Sequence, residues 1–352
     1  MLSLDRLTLA AVAGAALGLG CGDSSEPEAE APIHWDFEPF VGSDAPVDVT
    51  TDRLCAEAAD PDAAPDEVFI DCELEGASFA PDAPAPTSAL RVMTWNVERG
   101  VKLDGQIAWL RDDASSPKPD VLLLSELDRG CSRSGSRNVA RELAEALGMN
   151  YVFAVEFLEL PREAGSGGQI TDTCEHGNAI LSRYPLGNVK ALRHTANKSW
   201  RDVAGEPRLG GRVLVMADIQ VGARFVHLFS LHFESSPADN DIQIAQAIET
   251  ADLGKALPFG VAVAGDTNAP FYNFVLLGNS APGIDRVTEA FFERGYRDTH
   301  AALPLEERGT RGPLVIDLIF GRGRPWSNPG ICDPTVCDPL SDHRAVWATL
   351  RP

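Results

Sequence analysis

From Ala89 onward, short apolar or alternating runs recur between turn-forming residues. They are Leu90 to Val97, Val121 to Ser125, Tyr151 to Val155, Ala179 to Leu181, Arg212 to Ile219, Arg224 to Leu231, Gly260 to Ala264, Leu314 to Phe320 and Ala345 to Leu350. Runs of this length with a period of two, bounded by Gly, Pro, Asn or Asp, predict strands. Leu103 to Arg111, Asn138 to Leu147 and Asp239 to Leu257 instead repeat apolar residues at helical spacing and predict amphipathic helices. Many strands with several helices among them imply an α/β fold of two packed sheets with helices outside, in one domain over residues 89–352. No segment repeats at a fixed period.

Upstream, the pattern is different. Leu7 to Gly20 is an uncharged run of 14 residues, shorter than the roughly 20 that span a bilayer but suited to the apolar region of an export signal. It ends in Leu17-Gly18-Leu19-Gly20-Cys21, which resembles a bacterial lipobox, with the leucine one place further from the cysteine than usual. Residues 1–21 are therefore expected to be a signal peptide, with Cys21 lipidated as a peripheral membrane anchor. Residues 22–88 are rich in Asp, Glu, Ala and Pro and are expected to be a tether, because such a composition buries too little apolar surface to offset its ordering entropy. Within it, only Val68-Phe69-Ile70 forms an apolar patch, flanked by Cys55 and Cys72.

Charge is distributed with the same asymmetry. Of a net −22, residues 1–88 hold 19 acidic and 2 basic side chains, which leaves 89–352 with 33 acidic and 28 basic, a net of −5. The strongly acidic whole-chain balance thus does not argue against a polyanionic substrate for the folded region. With Cys21 set aside, six cysteines remain, an even number suited to disulfides in an oxidising compartment. Nearness favours Cys55 with Cys72, Cys131 with Cys174, and Cys332 with Cys337. The chain is expected outside the cytoplasm, as a membrane-anchored lipoprotein or a periplasmic or extracellular protein, and as a monomer.

Polar residues gather at the ends of the expected strands: Asn96, Glu126, His232, Asp266 with Asn268, and Asp342 with His343, while Asp317 lies inside the apolar run 314–320. Rigid strand ends hold reacting groups in fixed relation. A carboxylate within an apolar run is costly unless paired, and His343 is a natural partner for Asp317.

The segments TWNVERG, PDVLLLSELDRG, GNAILSRYPL, SLHFES, AGDTNAP, IDLIF and SDHRAV stand in that order across residues 89–351. In sequence and spacing they resemble the endonuclease/exonuclease/phosphatase superfamily, whose members include deoxyribonucleases, apurinic endonucleases, neutral sphingomyelinases and inositol polyphosphate 5-phosphatases. The resemblance implies a four-layer α/β/β/α sandwich with two mixed β-sheets, and a metal-dependent phosphoesterase. It implies that Glu126 holds Mg2+ or Mn2+, with Asn96 beside the ion and Asp342 as a further acidic position near it. Asp266 and Asn268 match the pair that orients water and phosphate, His343 the essential histidine with Asp317 as its carboxylate partner, and His232 the histidine that assists the leaving oxygen. Ser125, Thr267 and Leu231 depart from the family's usual residues but replace no ligating group.

A phosphodiester substrate, DNA among the candidates, is the expectation. A sphingomyelinase-like phospholipase and a phosphomonoesterase on the same fold stay open, as does a catalytically silent binding lipoprotein. Arg129, Arg133, Arg137 and Arg141 cluster in sequence near Glu126 as candidate backbone contacts, and Arg212, Arg183 and Asn178 are weighed as phosphate contacts. Pro270 to Phe274 is the one short aromatic segment that a lipid substrate would favour. His176, His194, His227 and His300 are read as structural.

Overall fold

The alternating runs form strands because one face of each is apolar and finds another apolar face to cover it. The computed structural model describes residues 35–42, 52–55, 72–80, 82, 84–163, 165, 167–235, 240–258, 260–271 and 286–352. Asp36–Pro352 form one unit, and of Met1–Trp35 only Trp35 is among the described residues. The signal run, Cys21, the apolar patch 68–70 and Tyr272 to Phe274 lie outside the described residues.

The first sheet contains β1 (Glu75–Ser78), β2 (Leu90–Arg99), β3 (Val121–Cys131), β4 (Arg137–Asn138), β5 (Asn150–Glu159) and β6 (Cys174–Ser182). The second begins with β7 (Leu186–Arg193); β8 (Arg208–Gly210) returns to the first, and β9 (Val213–Val221), β10 (Arg224–His232), β11 (Gly260–Phe271), β12 (Arg297–Asp298) and β13 (Val315–Arg322) complete the second. β14 (Trp326–Ile331) and β15 (Val346–Leu350) cross back to the first. The strand orders are β1-β5-β6-β3-β2-β15-β14, with β4 on β3 and β8 on β5, and β12-β13-β11-β10-β9-β7. In each sheet one parallel pair, β2 with β3 and β10 with β11, is embedded among antiparallel neighbours. The sheets are mixed, as expected.

Three apolar layers hold the stack together. Between the sheets, Val92, Val121, Leu123 and Ile180 meet Val215, Ile219, Val226, Leu228 and Ala264. Outside the first sheet, helices α1 (Leu103–Asp112) and α2 (Val139–Leu147) cover Trp95, Leu122, Leu124 and Phe153. Outside the second, α3 (Asn240–Lys255) and α4 (Arg286–Glu293) cover Phe229, Val261, Val263 and Phe320. This is the α/β/β/α sandwich. No helix of the described residues is long and apolar enough to cross a membrane.

The three disulfides are Cys55–Cys72, Cys131–Cys174 and Cys332–Cys337, the pairing that nearness suggested. The stretch 22–88, read as a tether, supplies more than a connection where it is described. β1 pairs antiparallel with β5 from Glu75 opposite Phe153 to Ser78 opposite Asn150. Phe40 donates its amide to Leu186 O at 2.9 Å and packs against the layer between the sheets. Backbone pairing compensates the missing apolar pattern there. Gly76 has a reason of its own, because a Cβ would meet the Phe40 ring at 2.4 Å and Tyr151 O at 2.5 Å.

Candidate active site

The strand ends bring distant residues side by side. His232 of β10 is level with Asp266 of β11, and Asp266 with Asp317 of β13, so three sequence segments form one row. In the first sheet Asn96, where the regular parallel ladder of β2 with β3 stops, is level with Ser125, next to Glu126 in the middle of β3. Asn96 Nδ2 donates to Glu126 Oε1 at 3.0 Å and to Asp266 Oδ2 at 3.1 Å, so a single amide joins the two sheets across the cleft.

The regular ladders break where these residues sit. Register slips in β3 between Leu124 and Leu127, in β5 between Val155 and Phe157, and in β11 between Asp266 and Phe271. A bulge of this kind re-aims a side chain that strict alternation would point elsewhere. Glu126 (φ 56°) and Asn268 (φ 49°) also adopt the left-handed backbone region, which costs a non-glycine residue on the order of 1–3 kcal/mol. Hydrogen bonds around the turn hold Asn268: its amide donates to Asp266 Oδ1 at 2.7 Å and its Nδ2 to Phe233 O at 3.0 Å.

His343 and Asp317 form the pair expected from sequence, Nδ1 to Oδ2 at 2.8 Å, both buried. Asp266 Oδ2 faces the other ring nitrogen, Nε2, at 3.7 Å. Burial alone would disfavour the imidazolium, yet Asp317 and Asp266 outweigh it and push the His343 pKa up to about 10. Asp266 moves the same way for another reason: burial raises its pKa and Asp317 adds to this, more than His343 and His232 offset. The site therefore sets a charged imidazole against a carboxyl group whose ionised form is disfavoured.

His232 has its own support. Its Nδ1 lies 3.2 Å from Glu156 Oε2, Arg212 Nη1 lies 2.8 Å from Nδ1 and 3.0 Å from Nε2, and Nε2 lies 3.8 Å from Asp266 Oδ2 and 4.0 Å from Glu126 Oε1. Glu156 also accepts from Asn178 Nδ2 at 3.2 Å and pairs with Arg212 at 3.4 Å. Burial acts to raise its pKa, but His232 and Arg212 lower it further, so Glu156 is a fixed anion behind the histidine. Sequence reading missed Glu156. It sits at the slip in β5, inside an apolar run with no recognisable motif, and the only available signal was a lone carboxylate among buried positions. Arg212 and Asn178, weighed as phosphate contacts, are buried in this support instead.

Asn96, Glu126, His232, Asp266, Asn268, Asp317 and His343 converge. Asp342 stands at the rim, its side chain 41% exposed and its carboxylate 2.9 Å from Arg311. It reaches the Asn96 side through Glu98, whose Oε2 accepts the Asp342 amide at 3.2 Å and whose pKa is raised by burial and by the Asp342 charge. Glu126 is partly open, at 20% side-chain exposure. Burial pushes its pKa up, but Arg99, His232, His176 and the Asn96 hydrogen bond bring it well below the ordinary value, so it is ionised. Among the described residues, the tightest group of potential metal ligands is Asp266, Asp317 and His343, with ligand atoms within 4.8 Å of one another. In that triad His343 Nδ1 is already engaged with Asp317 Oδ2 at 2.8 Å. The ionised, partly open Glu126 beside the Asn96 amide and Asp266 suits a hard cation that prefers oxygen.

The four arginines near Glu126 in sequence are engaged internally. Arg129 pairs with Glu75 and Glu175, Arg133 with Asp128 and Glu159, and Arg137 with Asp104 and Glu142, while Arg141 lies over the Phe79 ring. His176, His194 and His227 each face a carboxylate, Asp128, Glu249 and Asp218 respectively. His300 Nε2 lies 3.0 Å from Trp347 O.

Residues 93–343, which carry all of the site's groups, match the Endonuclease/Exonuclease/phosphatase family. The chain belongs to this family. Its members are hydrolases of phosphoester bonds. Among solved structures, the endonuclease/exonuclease/phosphatase from Beutenbergia cavernae DSM 12333 is similar at 20% identity, over 75% of this chain and 72% of that one, with a TM-score of 0.57. D. rerio TDP2 humanized by 14 mutations is similar at 17% identity, over 76% and 100% of the two chains, with a TM-score of 0.50. A family protein from Leptotrichia buccalis C-1013-b is similar at 15% identity, over 74% and 99%, also with a TM-score of 0.50. At these identities the likeness establishes the fold alone. No curated protein matches the chain.

Proposed function

We propose that the chain is a divalent-metal-dependent phosphodiesterase, an exported nuclease, that hydrolyses its substrate by in-line attack of water without a covalent intermediate. The observation that carries this reading is the convergence of two histidines, each held by its own carboxylate, on Asp266. Glu126, with Asn96 beside it, would hold Mg2+ or Mn2+, which when bound neutralises charge developing on a phosphoryl oxygen. Asp266, its Oδ1 fixed by the Asn268 amide, orients the attacking water and takes its proton at Oδ2. His343 keeps a proton on Nε2 and donates it as a hydrogen bond to a phosphoryl oxygen. His232, oriented by Glu156, protonates the departing oxygen from Nε2. Such a group serves a diester, whose alkoxide leaves poorly near neutral pH.

Nucleic acid is the favoured substrate class. A related fold, D. rerio TDP2, has been solved with a single strand DNA product, and a net charge of −5 over residues 89–352 permits loose contact with a phosphate backbone. The internal engagement of Arg129, Arg133 and Arg137 points to weak, sequence-indifferent binding. The three disulfides are in keeping with export, with attachment at a lipidated Cys21.

The test is turnover of DNA, RNA, sphingomyelin, inositol phosphates and a simple phosphomonoester by the full chain, with Mg2+, with Mn2+ and with excess chelator. DNA cleavage that needs the cation and declines steeply with salt is expected. Full activity in chelator would refute the metal role, and turnover of sphingomyelin or a monoester while DNA stays intact would move the assignment to another branch.

A further inference from the structure

The described residues of the leader are built into the catalytic unit at a buried charge cluster. Arg129, on β3 three residues beyond Glu126, is buried. It donates from Nε to Glu75 of β1, and from Nη1 to Glu175 Oε2 at 2.8 Å and to Asp52 O at 2.6 Å. Glu75 also accepts from Asn138 Nδ2 at 2.6 Å and from the Tyr151 hydroxyl at 2.5 Å. Glu175 Oε1 accepts the amides of Leu54 and Cys55 at 2.5 and 3.1 Å. Two of the three oxygen partners of Arg129, and two of the donors to Glu175, therefore come from residues 52–75. The same segment reaches a second strand of that sheet that carries a site residue, because β1 is the edge partner of β5, which holds Glu156.

Cys55–Cys72 ties the two halves of this strap together, beside a hydrogen bond from the Glu73 amide to Leu54 O at 2.8 Å. It is also the accessible disulfide: Cys72 is half-buried, whereas Cys131, Cys174, Cys332 and Cys337 are buried. Exchange requires a thiolate to reach a sulfur, so mild reduction acts here first. Opening the bridge restores the chain freedom that the crosslink removes. Release of the strap then leaves Arg129 and Glu175 in a buried place with each other but without Glu75, Asp52 O and the Leu54 and Cys55 amides, and loss of partners by buried charges is among the costlier changes a fold can suffer.

We propose that Cys55–Cys72 is a redox latch: its oxidation seats residues 52–55 and 72–78 against Arg129 and so fixes the strands that carry Glu126 and Glu156, making phosphoester hydrolysis dependent on an oxidising compartment. The functional consequence rests on the phosphodiesterase reading. Closing the latch removes two electrons and two protons from the Cys55 and Cys72 thiols, and a disulfide oxidant takes them up as two thiols. Opening is the reverse, in which a dithiol reductant attacks Cys72, Cys55 leaves as the thiol, and the reductant departs as its own disulfide.

The experiment uses the oxidised full chain, treated with graded dithiothreitol and quenched with a thiol alkylator, so that peptide masses identify the folded species in which Cys55–Cys72 alone is open. Two readouts follow: hydrogen exchange at Glu75–Ser78 and around Arg129, and kcat and KM for bis(p-nitrophenyl) phosphate with Mn2+. Exchange at these amides is expected to rise at least about tenfold. The kcat should fall about tenfold or more with KM changing less than about threefold, as misplaced catalytic strands would produce, and oxidised glutathione should restore both. The double variant Cys55→Ser, Cys72→Ser should reproduce the open state; if it does not fold, the reduced wild-type protein still decides. Unchanged exchange and unchanged kcat in the singly opened species would overturn the latch. An oxidised protein that hydrolyses no phosphodiester but shows the exchange response would support the latch and refute the phosphodiesterase reading.

Discussion

Strands of the six-stranded sheet supply the aspartates of two buried histidine–aspartate pairs, Asp218 from β9 and Asp317 from β13, and their surroundings are unlike. Toward the start of β10, His227 faces Asp218 across the ladder to β9, Nδ1 to Oδ1 at 2.6 Å. The second oxygen of Asp218 accepts from Asn188 Nδ2 at 2.7 Å, so the carboxylate is satisfied by its own neighbours. At the cleft, His343 has Asp317 at one nitrogen and Asp266 near the other, and Asp317 Oδ1 is buried with no hydrogen-bond partner among the described residues. The Asp218 carboxylate has both oxygens engaged, while the cleft carries acceptor capacity and negative charge that internal groups leave over. A pair alone does not mark a site; the unmet capacity around it does.

Removing groups from each pair separates the two most sharply in turnover. His343→Ala and Asp266→Ala should each lower kcat at least about 100-fold, whereas His227→Ala should stay within about threefold on the same diester. Retention of more than a tenth of wild-type activity in both cleft variants would erase the distinction. A second effect lies in pH. Because Asp317 raises the His343 pKa, Asp317→Asn should lower it, so the alkaline fall in kcat, expected near pH 10 in the wild type, should move toward neutrality. An alkaline limb that stays in place would show that Asp317 does not govern the charge on His343.

The smallest expected effect is on stability, with opposite signs in the two places. A raised carboxyl pKa means that ionised Asp266 destabilises the fold: its contribution is favourable below the unfolded pKa and is lost as pH rises through the folded one. Asp266→Asn should therefore raise the Tm of metal-free protein by about 2 °C at neutral pH, and this difference should vanish in acid. Asp218→Asn should lower Tm by a similar amount, since it weakens a satisfied network. Calorimetry of both variants across pH tests the contrast, and equal signs would contradict it.

Where apolar alternation is strong, the elements were legible: Leu90 to Val97 became Leu90–Arg99, and Asp239 to Leu257 became Asn240–Lys255. Glu75–Ser78 was not, because EGAS has no alternation and its strand state comes from pairing with β5 and from contacts made by Glu75. Trp326–Ile331 contains Pro329 and Gly330, which argue against a strand unless it lies at an edge, and it does. In the site, the motif residues Asn96, Glu126, His232, Asp266, Asn268, Asp317 and His343 lie together and Asp342 stands at the rim, but Glu156 was not anticipated, since a bulge gives no signature in a single sequence. The engagement of Arg129 and Arg133 was likewise invisible, because their partners lie at distant positions such as Glu75 and Glu159.

The slips in β3, β5 and β11 have one further consequence. A residue absorbed into a bulge at the rim shifts nothing beneath it, so Val121, Leu123, Val152 and Ala264 keep facing the inner layer whatever happens above. Phase in the core and inventory at the rim are thereby independent variables. Changes of one residue in length at Glu126, Glu156 or Asn268 would retool the cleft, while the same change four residues deeper would turn the strand inside out. Tolerance to insertion, scanned along β3 and β5, should therefore rise abruptly at the bulges.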